Sequence, residues 1–183
     1  MCASIENGMS PPIVRNSRIH GLGVFAQREY AVGDVILWID DSRIVDEHHP
    51  LTPEEKAEHC DYLEGGTVVL MREPERHINS SCDPNAYVQT YGGRRRVVVR
   101  KVIRSGDEIT YDYIIDCHGG EVWECRCGSP RCRGTIVASF FDLPAEWQHE
   151  YFPLLNPWFV KEHHARIQQL ERSTWYLTHA RPS

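Results

Sequence analysis

The sequence lacks any long apolar run. Of its 183 residues, 41% are hydrophobic, yet the apolar stretches are short, such as Val97–Val99, whereas a membrane-spanning helix needs roughly 18 apolar residues in succession. Residues 1–10 contain neither the basic cluster nor the apolar stretch of a secretion signal. We therefore expect a flexible lead-in over residues 1–10, no signal peptide, no transmembrane segment and an intracellular location, cytoplasmic or nuclear.

Positive charge is also scarce. The chain has 20 lysines and arginines against 26 aspartates and glutamates, for a net charge of −6. A general nucleic-acid binder normally carries a basic surface, so we expect no direct nucleic-acid binding. Internal repeats and low-complexity tracts are missing as well, and the length fits one domain with an appendage.

The seven cysteines argue against a secreted disulfide framework, because their number is odd and their spacing uneven. Three of them, Cys125, Cys127 and Cys132, form a C-x-C-x4-C motif. Three thiolates this close can share one Zn²⁺, which in a structural site takes four ligands. Spacing alone leaves the fourth ligand open among Cys60, Cys82, Cys117 and His118, and the arginines that could offset the thiolate charge are Arg126, Arg131 and Arg133.

Short apolar segments separated by glycines predict a mainly β domain followed by a helical tail. Two β-rich segments flank Gly92–Gly93 and predict a hairpin. Thr52 and Pro53 resemble the start of a helix. In the tail, Asn156–Pro157 predicts a longer helix with one apolar face. The tail aromatics either cover the domain or form a homodimer face, and we expect covering: Trp147, Tyr151, Phe152, Trp158 and Phe159.

Four separated motifs occur in a distinctive order. The first three are His20–Ala26 (HGLGVFA), Arg76–Ala86 (RHINSSCDPNA) and Gly106–Tyr113 (GDEITYDY), and the fourth is the cysteine motif. In this order and spacing they resemble the SET-domain protein-lysine methyltransferases, including the post-SET zinc motif, over roughly residues 11–137.

The resemblance implies an α+β, mainly β fold of small curved sheets, in which the second and third motifs form a pseudoknot. It divides the chain into a SET domain over 11–120 with a variable insert at about 41–75, a post-SET zinc segment over 121–137 and a helical extension over 138–183. It also implies S-adenosyl-L-methionine as methyl donor, a lysine side chain as acceptor, and one structural Zn²⁺ held by Cys82, Cys125, Cys127 and Cys132.

The resemblance further implies roles for single residues. Tyr113 matches the catalytic tyrosine, and Tyr111 matches the position that limits the product, where a tyrosine implies mono- or dimethylation. Asn85 and Asp112 would stabilise the pseudoknot. Residues implied in cofactor binding are His20, Gly21, Leu22, Gly23, Asn79, Ser80, Tyr113 and Trp123.

Methyl transfer also requires a neutral amine. Neutralising a lysine of pKa 10.4 at pH 7 costs roughly 4.6 kcal/mol, which desolvation in a narrow channel would lower. No strong general base is therefore required.

The chain departs from the family pattern at two places. Ser80 stands where the family usually has histidine, and Trp38–Asp41 (WIDD) stands where it often has Tyr-x-Gly-Glu. The first departure should be tolerated because the contact is largely through the backbone. The second leaves one wall of the lysine channel open, and the residues that could complete it are Trp38, Tyr62, Tyr87 and Tyr91.

Acidic residues concentrate in two segments, Asp40–Glu64 with nine acids and Asp107–Glu124 with six. We expect both beside the peptide groove, where they would select a basic protein or peptide such as a histone tail. A contrasting basic segment, Arg94–Arg104, is expected to be a solvated hairpin edge. The alternative functions are a catalytically weak SET module that binds a peptide or partner, and a methyltransferase for a non-protein amine.

Overall fold

The computed structural model describes the backbone of residues 10–179 and the side chains of residues 10–172. Residues 1–9 of the predicted lead-in over residues 1–10 lie outside this part, and Cys2 is among them. The strands are β1 (Ile13–Asn16), β2 (Leu22–Phe25), β3 (Val35–Trp38), β4 (Ile44–Val45), β5 (Cys60–Tyr62), β6 (Val68–Leu70), β7 (Asn79–Ser80), β8 (Ala86–Tyr91), β9 (Arg94–Val99), β10 (Glu108–Tyr111), β11 (His118–Glu124) and β12 (Thr135–Ser139).

Three α-helices follow the strands: α1 (Ala145–Tyr151), α2 (Pro157–Glu162) and α3 (His164–His179). This confirms a mainly β domain with a helical tail. The predicted helix at Thr52 is wrong. The Glu55 carboxylate accepts a hydrogen bond from the Thr52 amide at 3.0 Å and also pairs with Arg43 at 2.7 Å, but the chain makes a single turn there, followed by a short 3-10 turn over Ala57–His59. The longer tail helix is interrupted at His163, whose backbone leaves the helical region.

The strands form four small sheets within the described residues. One has the order β1-β2-β10-β7, in which β7 and β10 are parallel and the other neighbours antiparallel. A second has the order β3-β9-β8, in which β8 and β9 form the predicted hairpin around Gly92–Gly93. Both turn glycines have positive φ, at 58° and 76°, a conformation that glycine adopts at little cost.

The other two sheets organise the insert and the cysteine segment. Strands β4, β6 and β5 form a sheet of their own within the predicted insert. Strands β11 and β12 pair across the cysteine loop, so the expected boundaries at 120/121 and 137/138 both fall inside strands. The cysteine loop is therefore the tip of a hairpin that begins in the expected SET segment, includes the whole post-SET segment and ends in the expected helical extension.

Two apolar clusters form the core. The first lies between the two larger sheets and contains Val24, Ile78, Val97 and Ile109, all at most 1% exposed. The second joins Cys82 and Ile114 to the helical tail: Phe140, Trp147, Tyr151, Leu155, Phe159 and Ile167. Trp147, Tyr151 and Phe159 are thus buried within the chain, as expected for covering, whereas Phe152 and Trp158 are half-buried.

Within residues 10–179, no helix has the length and apolar character required to cross a membrane.

Candidate active site

Two cavities meet at Tyr113. The first, which we call the His20 cavity, has a volume of about 370 Å³ and is lined by Ile19, His20, Asn79, Ser80, Tyr113, Trp123, Glu124, Cys125 and Arg126. The second, the Tyr111 cavity, measures about 290 Å³. Its lining includes Tyr111 and Tyr113, three residues of the insert sheet and two of the tail: Cys60, Asp61, Tyr62, Asn156 and Trp158. Tyr113 lies on the boundary between them.

The pairing of β7 with β10 creates this boundary. The two strands run parallel, with Asn79 opposite Thr110 and Ser80 opposite Tyr111. The amide of Ser81 then donates to the carbonyl oxygen of Tyr111 at 3.1 Å. The second and third sequence motifs, some thirty residues apart, are therefore held side by side, and Tyr113 follows directly beyond the end of β10.

The Tyr113 hydroxyl is fixed by a backbone contact. It donates a hydrogen bond to the carbonyl oxygen of Ile78 at 2.8 Å, and its ring lies 5.4 Å from that of Tyr111. Although 46% of Tyr113 is exposed through the two cavities, desolvation raises its pKa to about 12. Burial also raises the pKa of Tyr111 well above its ordinary value. Both hydroxyls therefore stay protonated at neutral pH and can act as hydrogen-bond donors or acceptors.

Five of the predicted cofactor residues line the His20 cavity together: His20, Asn79, Ser80, Tyr113 and Trp123. Gly21, Leu22 and Gly23 are outside that lining. The carbonyl oxygens of His20 and Leu22 instead accept hydrogen bonds from the Asn79 amide at 3.2 and 2.9 Å. The backbone of the glycine motif thus holds the side chain of Asn79, which lines the cavity. A direct contact between Gly21–Gly23 and a cofactor remains a prediction.

The sequence motifs did not single out three residues of the same wall. Ile19, Glu124 and Arg126 line the His20 cavity, and Arg126 pairs with Glu124 at 2.6 Å. Glu124 and Arg126 flank Cys125, so their position follows from the folding of the cysteine loop over the cavity. Ile19 gave no recognisable signal, because it precedes the first motif by a single residue in an irregular segment.

The four predicted metal ligands converge. The sulfur atoms of Cys82, Cys125, Cys127 and Cys132 all lie within 4.8 Å of one another, and those of Cys82 and Cys125 are 3.6 Å apart. Tetrahedral zinc with Zn–S bonds of about 2.3 Å needs sulfur atoms about 3.8 Å apart. The donor set and its spacing therefore fit one Zn²⁺.

The three other candidates for the fourth ligand lie elsewhere. Cys60 and Cys117 line the Tyr111 cavity, and the His118 ring packs 4.5 Å from that of His163.

Of the three arginines expected near the metal, Arg133 contacts a ligand. Its Nε lies 3.2 Å from the Cys82 sulfur, and its Nη2 is 2.7 Å from the Asp112 carboxylate. Asp112 also accepts a hydrogen bond from the Tyr151 hydroxyl at 3.1 Å. Arg133 and Asp112 thus connect the cysteine cluster, the third motif and the tail.

Asn85 ties the crossing of the second and third motifs. Its side-chain amide donates to the carbonyl oxygen of Glu108 at 2.8 Å, and its side-chain oxygen accepts from the Thr110 amide at 2.9 Å. One asparagine therefore satisfies two backbone groups of β10, in agreement with the expected pseudoknot.

The Tyr111 cavity draws acids from both acidic segments: Glu58 and Asp61 from the first, and Asp112 and Asp116 from the second. Two arginines, Arg76 and Arg95, lie on the same wall, and Arg95 pairs with Asp61 and with Asp41. Asp112 pairs with Arg133, Glu58 lies 3.3 Å from Lys56, and Asp116 accepts hydrogen bonds from Asn156 on both carboxylate oxygens.

Besides Tyr111 and Tyr113, the aromatic residues in the lining of the Tyr111 cavity come from the insert sheet and from the helical tail. Of the four expected candidates, Tyr62 lines the Tyr111 cavity. Trp38 stacks instead beneath Arg94 and Arg96, at 4.8 and 5.5 Å. Tyr87 packs against the second core cluster, and Tyr91 lies under Arg96. Trp158 of the tail is an additional wall residue that the sequence did not indicate.

This fold and site define the SET-domain class. The family model described as "SET domain" matches residues 21–114, and the chain belongs to that family. The chain is 33% identical over 137 residues to the Histone-lysine N-methyltransferase set-2 of Caenorhabditis elegans, which covers 66% of this chain and 9% of that protein. It is 37% identical over 86 residues to the Histone-lysine N-methyltransferase ash1 of Drosophila melanogaster, covering 43% and 4%.

A crystal structure of a histone methyltransferase candidate from Plasmodium falciparum aligns with a TM-score of 0.47 at 21% identity, covering 57% of this chain and 94% of that chain. The chain spans less than a tenth of the length of set-2 and of ash1.

Proposed function

We propose that this protein is an S-adenosylmethionine-dependent protein-lysine N-methyltransferase. The observation that carries the proposal is the position of Tyr113, which lines both the His20 cavity and the Tyr111 cavity. Two reactants held in separate cavities must react at the wall that the cavities share, and Tyr113 belongs to that wall. Membership of the SET-domain family supports the same reaction.

The His20 cavity suits the methyl donor. Its volume of about 370 Å³ lies in the range of small-molecule sites. Trp123 offers an aromatic face for an adenine ring, and His20, Asn79 and Ser80 supply polar groups. S-adenosylmethionine, when bound, would provide an electrophilic methyl group on a positively charged sulfur.

The Tyr111 cavity suits the lysine. The surroundings of Tyr111 disfavour charge through desolvation, which raises the pKa of both the Tyr111 and the Tyr113 hydroxyl, and the same desolvation would lower the pKa of a lysine ammonium. The Tyr113 hydroxyl, held by the Ile78 carbonyl, would orient the amine toward the junction, which lowers the entropic part of the barrier. Desolvation thus takes the place of a general base.

We further propose a basic protein, with a histone tail as the first choice, as the substrate. Four acids line the Tyr111 cavity against two arginines, and among them the exposed Glu58 has only the exposed Lys56 as an ion-pair partner other than histidine within the described residues. The relatives set-2 and ash1 are named histone-lysine methyltransferases. Tyr111 narrows the cavity beside Tyr113, which favours mono- or dimethylation over trimethylation.

Labelled S-adenosylmethionine tests the proposal directly. The protein is incubated with the labelled donor, a panel of histones and basic peptides, and a non-protein amine, and Tyr113→Phe is run in parallel. We expect label on lysine side chains, reduced roughly 100-fold or more in Tyr113→Phe. Equal transfer by both proteins would contradict the role of Tyr113, and cofactor binding without transfer to any acceptor would favour a silent binding module.

A further inference from the structure

The helical tail reaches into the Tyr111 cavity. Asn156 and Trp158 line it together with Tyr111 and Tyr113, although the family match ends at residue 114. The cavity that would hold the substrate is therefore completed by a part of the chain that lies outside both the family match and the cysteine loop.

Asn156 fastens this part of the tail to the domain. Its side-chain oxygen accepts a hydrogen bond from the Thr90 amide in β8 at 2.8 Å. Its backbone amide donates to the Asp116 carboxylate at 2.8 Å, and its side-chain amide donates to the second oxygen of the same carboxylate. Asn156 stands at the N-cap of α2 but makes no side-chain capping bond there. Its side-chain carboxamide bonds to Thr90 of β8 and to Asp116 instead.

The contact is well shielded. Asn156 is 4% exposed, and burial raises the pKa of Asp116 to about 6, so the Asp116 carboxyl is still mostly ionised at neutral pH. Hydrogen bonds to a buried charged group are stronger than neutral ones and costly to break. The position of α2 against β8 is therefore fixed at this point.

Trp158 lies two residues after Asn156, and the residue that follows it in the chain is anchored in the core. Phe159, the next residue, is 1% exposed within the second core cluster, and the Trp158 and Phe159 rings are 5.7 Å apart. Trp158 itself is only half-buried. The residue is thus held rigidly by its neighbours while part of its surface stays available to the cavity.

We propose that Trp158 is a specificity-determining residue for the peptide substrate, with Asn156 as the residue that positions it. The inference rests on the proposed function and extends it to the tail. Trp158 lines the same cavity as Asp61 and Asp116. An indole there suits the aliphatic stem and the cation of a basic side chain, through apolar contact and a cation–π interaction. Trp158 thereby supplies an aromatic wall of the Tyr111 cavity, to which Trp38 does not contribute.

Steady-state kinetics with a synthetic arginine- and lysine-rich peptide tests Trp158. We expect Trp158→Ala to raise the peptide KM roughly 5- to 50-fold, as for truncation of a central aromatic contact. The kcat and the KM for S-adenosylmethionine should stay within about twofold. Phe152→Ala is the matched control, because Phe152 is a half-buried aromatic of the same tail that packs in the second core cluster and is absent from the cavity lining.

An exchange of the two polar partners tests Asn156. Asn156→Asp alone places two carboxylates together, and Asp116→Asn alone places two amide groups together, so each should raise the peptide KM. In the double variant Asn156→Asp/Asp116→Asn, the bonds from the Thr90 amide and from the backbone amide of residue 156 can form as before. The third bond forms with its donor and acceptor exchanged between the two side chains. The peptide KM of the double variant should therefore return toward the wild-type value. A merely structural role would lower the melting temperature and kcat without this rescue of KM, which would overturn the assignment.

Direct binding separates this inference from the proposed function. The same peptide is titrated into wild type and Trp158→Ala in the presence of S-adenosylhomocysteine, with thermal melting as a folding check. Weaker binding by Trp158→Ala supports the inference even if no methyl transfer is found, in which case the proposed function alone fails. Equal Kd values, or no binding by wild type, overturn the inference, and methyl transfer by the wild type would then leave the proposed function standing.

Discussion

The side-chain amide of Asn79 donates a hydrogen bond to the Glu108 carboxylate at 2.8 Å. The same carboxylate accepts the Ser17 hydroxyl at 2.8 Å. Gly23 lies directly against it, and a Cβ at Gly23 would stand 2.3 Å from the nearer Glu108 oxygen. Glycine is therefore required at position 23 by the Glu108 carboxylate, whose partners hold it in place.

We expect Gly23→Ala to lower the free energy of unfolding by roughly 1–3 kcal/mol, because Glu108 must leave its partners to admit the methyl group. Chemical denaturation measures this change. Adding Glu108→Ala removes the nearer obstacle and leaves the Ser17 Cβ at 3.0 Å, so the double variant should be more stable than the sum of the two single losses predicts. A Gly23→Ala protein as stable as wild type would contradict the packing argument.

Metal analysis should find one zinc per chain. Cys82→Ser should lose it, because the fully buried Cys82 joins the cysteine loop to the second motif, whereas Cys60→Ser should keep it. Cys125 also lines the His20 cavity, so metal loss should weaken binding of S-adenosylhomocysteine as well as lower the melting temperature. Zinc retained at full occupancy by Cys82→Ser would rule out the proposed ligand set.

The stability should depend on pH through Glu75. This residue is 3% exposed, its carboxyl oxygens have no hydrogen-bond partner within the described residues, and Arg95 is 3.9 Å away. Burial raises the pKa of Glu75 from 4.5 to about 8. The folded state thus holds a proton that the unfolded state releases, and this stabilisation is lost as the pH rises from about 4.5 toward 8.

Glu75→Gln stays neutral, so it should gain roughly 1–3 kcal/mol relative to wild type between pH 5 and pH 8. Unfolding free energies measured across that range provide the comparison. Glu121→Gln, on the exposed strand β11, should run parallel to wild type. A free energy of unfolding that falls with pH as steeply in Glu75→Gln as in wild type would show that another group is responsible.

Methylation of a basic peptide should weaken with salt. Raising the ionic strength from about 0.05 to about 0.2 M screens exposed charges, so the peptide KM should increase severalfold. Glu58, whose side chain is 68% exposed at the Tyr111 cavity, should carry part of this effect, and Glu58→Gln should show a shallower salt dependence. A KM indifferent to salt would remove the support for electrostatic selection of the substrate.

The sequence predicted the parts of the site that depend on local chemistry. The Gly92–Gly93 turn, the three clustered cysteines and the motif tyrosines carry short-range signals, and the family resemblance added Cys82. The second and third motifs meet through the parallel pairing of Ser80 with Tyr111. That long-range register is invisible in composition or periodicity, and only the resemblance anticipated it.

The errors have a common physical origin in tertiary packing. The capping signal at Thr52 produces a single turn, in which Glu55 bonds to the Thr52 amide and to Arg43 of a distant segment. Trp38 packs against Arg94 and Arg96 and not in the cavity wall. Trp158 reaches the cavity because Asn156 is fastened to Thr90 and Asp116 and Phe159 is buried in the second cluster. These contacts join residues far apart in the chain, so no local sequence pattern predicts them.

The second core cluster also decides how much of the chain folds as one body. Ile114, where the family match ends, is 1% exposed because Phe140, Tyr151 and their neighbours cover it. A chain shortened to the matched residues would expose this surface and lose the Tyr151 hydroxyl from Asp112. The smallest independently stable unit is therefore larger than the family boundary, and its limit lies within the helices.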